Sequence, residues 1–181
     1  GNQIADSASV TVNSGGTFDL NGRNETISAI TLNGTGSGSS GSLINSSGTA
    51  STLTLSANSS LGSASTIGGT GDITIDGSGS FRMTGGATTL TKVGSNTLTL
   101  SSGASSDNLN LLLQADGGTT VLDKTGTGAN GAHAVGGMTV NSGATVKLGG
   151  TGNYQIYEGA TPTVNSGGTF DMNGKSQAFT S

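Results

Sequence analysis

Asp72 and Asp76 stand four residues apart in Asp72-Ile73-Thr74-Ile75-Asp76. On an extended strand that spacing turns both carboxylates to one side. Arg82 follows nearby. Two carboxylates with a cation could bind an acidic sugar, or act as acid and base on a glycosidic bond. This is the strongest enzyme-like group in the chain, and it is a single pair. His133 is the only histidine. A zinc site or a Ser-His-Asp arrangement would give it partners, yet the nearest acid upstream is Asp123, 133 − 123 = 10 residues away. His133 is therefore read as a solvent-exposed loop residue. None of the many serines sits in a Gly-x-Ser-x-Gly elbow.

Glycine spacing offers two further chemistries. Gly36, Gly38 and Gly41, and again Gly126, Gly128 and Gly131, have the Gly-x-Gly-x-x-Gly spacing that cradles a dinucleotide. That reading needs a strand before and a helix after, and neither stretch supplies them. Residues 68–76 approach the calcium-binding nonapeptide of β-rolls, but Asp72 falls one place early and Ile73 holds the aspartate position. Thr-x-Thr pairs at 52/54, 89/91 and 97/99 would bind ice or another ordered surface if they stacked on one face; threonine is also the ordinary outward residue of a strand. The expectation is no catalytic residue, no bound cofactor and no structural metal, with a polysaccharide-binding or polysaccharide-cleaving β-helix, or a threonine-array surface binder, as the alternatives.

The elements that would position such groups are strands and corners. Leu53 and Leu55, Ile73 and Ile75, and Leu98 and Leu100 alternate with Thr, Ser or Asp, as inward and outward residues of a strand do. Phe81 and Met83 continue the pattern, residues 26–32 read as one further wall, and residues 33–41 and 125–137 read as loops. No window sustains apolar spacing of three and four, and glycine interrupts nearly all of them, so no helix is expected.

One stretch organises the rest. Thr-Val-Asn-Ser-Gly-Gly-Thr-Phe-Asp-Leu-Asn-Gly, residues 11–22, returns at 163–174 with Met172 in place of Leu20, and more loosely at 139–150. The last two copies are 163 − 139 = 24 residues apart, about one coil of a solenoid. Asn13, Gly15, Asn21 and Gly22, with Asn141 and Gly143, Asn165 and Gly167, and Asn173 and Gly174, are the expected corner positions, since Asn and Gly tolerate the left-handed backbone of a sharp turn. The outer copies are 163 − 11 = 152 residues apart, and that offset also matches Asp6 with Glu158, Arg23 with Lys175 and Ile27 with Phe179. The chain is thus expected to be a single segment, 1–181, holding one period (1–152) and the start of the next (153–181), excerpted from a longer repetitive protein.

Composition narrows the class. Only 30% of the 181 residues are hydrophobic and 3% aromatic, and 34 are Gly. A thick globular core is hard to build from that, whereas a solenoid coil needs only a few aliphatic residues against its neighbour. With 9% charged residues and a net charge of −4, no basic patch exists for nucleic acid or an anionic membrane surface. There is no cysteine, hence no disulfide or thiolate metal site, and no apolar run of membrane-spanning length.

Residues 3–22, from Gln3-Ile4-Ala5-Asp6 through the organising stretch, resemble the autotransporter-associated β-strand repeat, also called the passenger-associated transport repeat. So does Leu90-Thr91-Lys92-Val93-Gly94-Ser95-Asn96-Thr97-Leu98-Thr99-Leu100-Ser101, with Asn96 where that family usually has Gly, and with the family's Tyr-Thr-Gly-Gly-Thr segment degenerate around residues 112–121. The resemblance covers most of the chain. It implies a right-handed parallel β-helix in a large exported bacterial protein, a surface or extracellular location, and repeats without catalytic residues. The combined expectation is an uncapped all-β solenoid of seven or eight coils, a rod of about 35–40 Å at ~4.8 Å per coil. Asn13, Asn141 and Asn165 should fall at equivalent corners, and Val12, Phe18, Leu20, Val140, Val146, Leu148, Val164, Phe170 and Met172 should point inward. Its expected role is an extended fibre, stalk or adhesin. Its partners would be further coils, in one long chain or by head-to-tail stacking, with cell-surface or matrix polysaccharide as a candidate; nucleic acid binding and membrane insertion of this segment are not expected.

Overall fold

The computed structural model of the protein describes residues 2–77, 87–102, 107–125 and 132–180. The first turn consists of β1 (Ser9–Val12), β2 (Phe18–Asp19) and β3 (Glu25–Ile27). The second consists of β4 (Ala29–Gly34), β5 (Leu43–Asn45) and β6 (Ser51–Leu55). β4 lies parallel on β1, β5 on β2 and β6 on β3, so each of these two turns has three walls. In the third turn the ten-residue β7 (Ser60–Gly69) runs through two walls, pairing with β4 at its start and β5 at its end, before β8 (Ile73–Gly77) forms the third wall. The second wall then continues as β9 (Thr88–Lys92), β11 (Leu111–Ala115), β13 (Gly137–Val140) and β15 (Thr163–Val164). The third continues as β10 (Thr97–Ser102), β12 (Gly118–Lys124), β14 (Ala144–Leu148) and β16 (Thr169–Asp171). All of these pairings are parallel, and the one helical element among the described residues is a 3-10 turn at Ser37–Ser39.

This is a parallel β-solenoid. The third wall stacks seven strands, which separates first from last by six turns, about 29 Å at ~4.8 Å each. The expected seven or eight coils are thus corrected to about six turns. The turns are of unequal length: Ser9 pairs with Ala29, 20 residues on, but Thr31 pairs with Ser60, 29 residues on. The loop that lengthens the second turn holds the 3-10 segment. Residues 26–32 prove to be two walls meeting at Ser28. Phe81, Met83 and Arg82 lie outside the described residues.

The core is a narrow column of aliphatic side chains. Leu53, Leu55, Ile73, Ile75, Leu98 and Leu100 are all buried, as their alternation predicts. Each such side chain contributes on the order of 1.5–3 kcal/mol through burial. Of the organising stretch, Val12, Leu20, Val140, Val146 and Leu148 are buried, and Phe18, Phe170 and Met172 pack half-buried against the core. Val164 departs from expectation at 47% exposure; among the described residues no strand is stacked beyond β15 to cover it.

One inward column carries a charge. Register runs from Phe18 through Leu43, Ile67, Lys92, Ala115 and Val140 to Val164. Lys92 is fully buried within it. Its ammonium donates to the carbonyls of Val93 at 2.8 Å, Gly94 at 3.2 Å and Gly117 at 3.3 Å, so it ties two turns together at their second corner. Burial pushes the ammonium down to about 8, against the pull of Asp72. Below about pH 8 the lysine is charged in folded and unfolded chains alike, and the burial cost is fully present. Between about 8 and its unfolded value of 10.5 the unfolded chain holds more protons, so this group makes stability rise with pH. Urea midpoints taken at pH 7.5 and pH 10 should therefore show an upward change in the parent protein that is reduced in Lys92→Met. An equal change in both proteins would remove Lys92 as its source.

Candidate functional site

The group with most chemistry is spread over three successive turns. Asp107, His133 and Glu158 precede β11, β13 and β15, with separations of 133 − 107 = 26 and 158 − 133 = 25 residues, about one turn each. Stacking brings them into contact. His133 Nδ1 lies 3.0 Å from Asp107 Oδ1, and Nε2 lies 2.9 Å from Glu158 Oε2. The His133 backbone N–H also donates to Asp107 Oδ1 at 3.2 Å. The Tyr157 ring meets the imidazole edge-on, with centroids 5.6 Å apart. His133 is only 2% exposed, which overturns its expected place as a solvent-exposed loop residue. Its partners are distant in sequence because one turn of the solenoid intervenes. Both ring nitrogens already face carboxylates, so neither is turned toward a nucleophile or an open position. The arrangement fastens three turns together. Among the described residues no group of three His, Asp or Glu side chains converges so that it could hold a metal ion.

Of the acid pair at 72 and 76 and its expected cation, Arg82 lies outside the described residues. Asp72 Oδ1 accepts the backbone N–H of Thr97 at 2.7 Å, holding the start of the strand stacked on it. Asp123, further along the third wall, is pushed up by burial and then by Asp76, with Lys175 pulling the other way. Gly36, Gly38 and Gly41 lie between β4 and β5 around the 3-10 turn, without the following helix that a phosphate cradle requires. Gly126, Gly128 and Gly131 lie outside the described residues.

The third wall carries the threonines in register. Thr97, Thr119, Thr145 and Thr169 form one ladder across four turns. Thr52, Thr74 and Thr99 form another across three. These outward side chains are mostly half-buried by their neighbours, with Thr169 exposed.

The corners are built alike wherever the organising stretch occurs. Gly16, Ala144 and Gly168 donate to the carbonyls of Asn13, Asn141 and Asn165 at 2.8, 3.1 and 2.9 Å. Gly15, Gly143 and Gly167 take φ of 82°, 80° and 79°, the left-handed region that glycine enters freely. Asn21 with Gly22 and Asn173 with Gly174 are the second matched corner, at φ of 45° and 73° against 48° and 70°. Asn165 Nδ2 donates to Asn141 Oδ1, and Asn141 Nδ2 to Asp116 Oδ1, both at 2.6 Å, forming a ladder at the corner between second and third walls. Asn13 is not in that ladder. It follows β1 and so turns the corner between first and second walls, one corner away from the equivalence expected of it.

Compared with protein-family models, curated proteins and solved structures, the chain finds no match in any of the three.

Proposed function

We propose that this chain is a non-catalytic structural repeat of a large exported bacterial surface protein, one that builds an extended extracellular rod or stalk and serves as an adhesin. The observation that carries the reading is the parallel ladder running in register through seven strands of the third wall, in a sequence that begins to repeat after 152 residues. In such a stack each turn buries its neighbour's apolar edge, so added repeats add stability and length together. The resemblance of residues 3–22 and 90–101 to the autotransporter-associated repeat supports export and surface display. The natural partner on this reading is a further coil of the same kind, with surface or matrix polysaccharide along the walls.

The test is location. Protease applied to intact cells of the source organism should release fragments of the chain into the medium. Fragments that appear only after lysis would overturn the surface reading. Polysaccharide turnover that is lost in Asp72→Ala or Asp76→Ala would replace it with an enzyme.

The threonine ladders favour a second reading, binding to a regularly spaced surface such as ice. Rungs ~4.8 Å apart and alternate residues about 6.6 Å apart give a two-dimensional array of hydroxyl and methyl groups. Inhibition of ice recrystallisation that disappears in Thr97→Leu and Thr119→Leu would carry it.

A further inference from the structure

We propose that the repeat is phased to turn its surfaces around the rod, each period placing the same residues one wall further on. The inference rests on the tandem-repeat reading above and concerns how such an array displays its faces.

The inward column that begins at Phe18 reaches Val164 after six turns. Those turns use 164 − 18 = 146 residues. The sequence period is 152, which leaves 152 − 146 = 6 residues. Six residues also separate Val12 on the first wall from Phe18 on the second. Val164, the sequence counterpart of Val12, therefore sits on the second wall. The whole block moves with it: β1 and β2 occupy the first and second walls, while their counterparts β15 and β16 occupy the second and third.

Local structure survives the shift. The corner hydrogen bonds and left-handed glycines of 13–16 and 165–168 agree within 0.1 Å and 3°. Asn21 and Asn173 each donate their backbone N–H to the preceding aspartate, Asp19 or Asp171, at 2.8 Å. Ile4 N–H donates to Glu25 Oε1 at 2.9 Å, and Ile156 N–H to Gln177 Oε1 at 3.0 Å. The corner contacts are made within a few residues and the last pair between one turn and the next, and both kinds recur on the new wall.

In a tandem array the threonine ladder of the third wall would pass to the first wall in the next period and the second in the one after. Three periods restore the phase, after nineteen turns and about 90 Å at ~4.8 Å per turn. Each face then points in three directions along the rod. That geometry suits polysaccharide strands surrounding the rod, and it confines any flat threonine face to one period.

The experiment is a chain of residues 1–181 followed directly by 30–181, carrying two spin-labelled cysteines on a sequence with none of its own. One label replaces Thr99 of the first unit. The other replaces Thr91 or Thr99 of the second unit, which lie in one turn on neighbouring walls. With phasing, Thr91 of the second unit comes round to the wall of the first-unit Thr99, so the 99–91 distance is the shorter. If the 99–99 distance is shorter in a chain that folds as one rod, the phasing is wrong and the rod reading stands. A tandem chain that does not fold as one rod overturns both.

Discussion

Replacing Gly136 with alanine is expected to destabilise the protein by about 3 kcal/mol or more, beyond the usual range for a single methyl group. The reason is space. Gly136 donates its N–H to Leu111 O at 2.8 Å, and a Cβ there would fall 1.7 Å from the carbonyl oxygen of Leu109 and 2.5 Å from its carbonyl carbon. Both are backbone atoms of the adjoining turn, so no side chain can rotate away. The turns must separate just ahead of β13, where Val135 bridges to Ile156 and Asn108 donates to His133 O at 3.0 Å. Gly48→Ala is the control. Nothing lies within 4 Å of its added methyl and its φ is not left-handed, so little change is expected, with a slight gain from reduced freedom in the unfolded chain. Urea unfolding of both variants measures the contrast. A Gly136→Ala protein within 1 kcal/mol of the parent would mean that the turns are not packed as closely as described.

The architecture was largely legible because a solenoid writes itself into sequence twice, as alternation within a strand and as a period between turns. Leu53 and Leu55, or Ile73 and Ile75, are buried on the parity that alternation gives. The organising stretch identified its own corners, since a left-handed glycine after Asn-Ser is a local requirement. What depends on turn length was not legible. The number of turns and the wall on which Asn13 sits follow from summing unequal turns, and the 29-residue step between Thr31 and Ser60 follows no single repeat length. β7 is the longest strand, yet its Ser- and Gly-rich sequence carries little alternation. Lys92 follows the inward parity of Leu90, but a lysine is not expected in a core until three carbonyls are seen to receive it. The clasp at His133 had a trace in the sequence, two acids one turn before and one turn after it. Reading that trace requires the stacking register first.

That clasp gives the other large expected effect. His133→Leu should cost about 3 kcal/mol, near the upper end for leaving a buried acceptor without its hydrogen-bond partner. The loss comes less from the histidine than from what it leaves behind. Glu158 would keep a carboxylate with one oxygen already buried and lacking a hydrogen-bond partner among the described residues, and with its other oxygen now facing a methyl group. Asp107 is more open, its side chain 34% exposed against 14% for Glu158, so water can restore part of its solvation. The asymmetry makes a sharper test than the single variant. Removing the stranded charge as well, in His133→Leu with Glu158→Leu, should recover stability relative to His133→Leu alone, because replacing both partners by apolar groups avoids an unpaired buried ion. Adding Asp107→Leu instead should recover less. Were the single variant to lose under 1 kcal/mol, or the Glu158 double variant to be less stable than the single, the group would not be a buried clasp, and the contact between the turns of β11, β13 and β15 would rest on aliphatic packing alone.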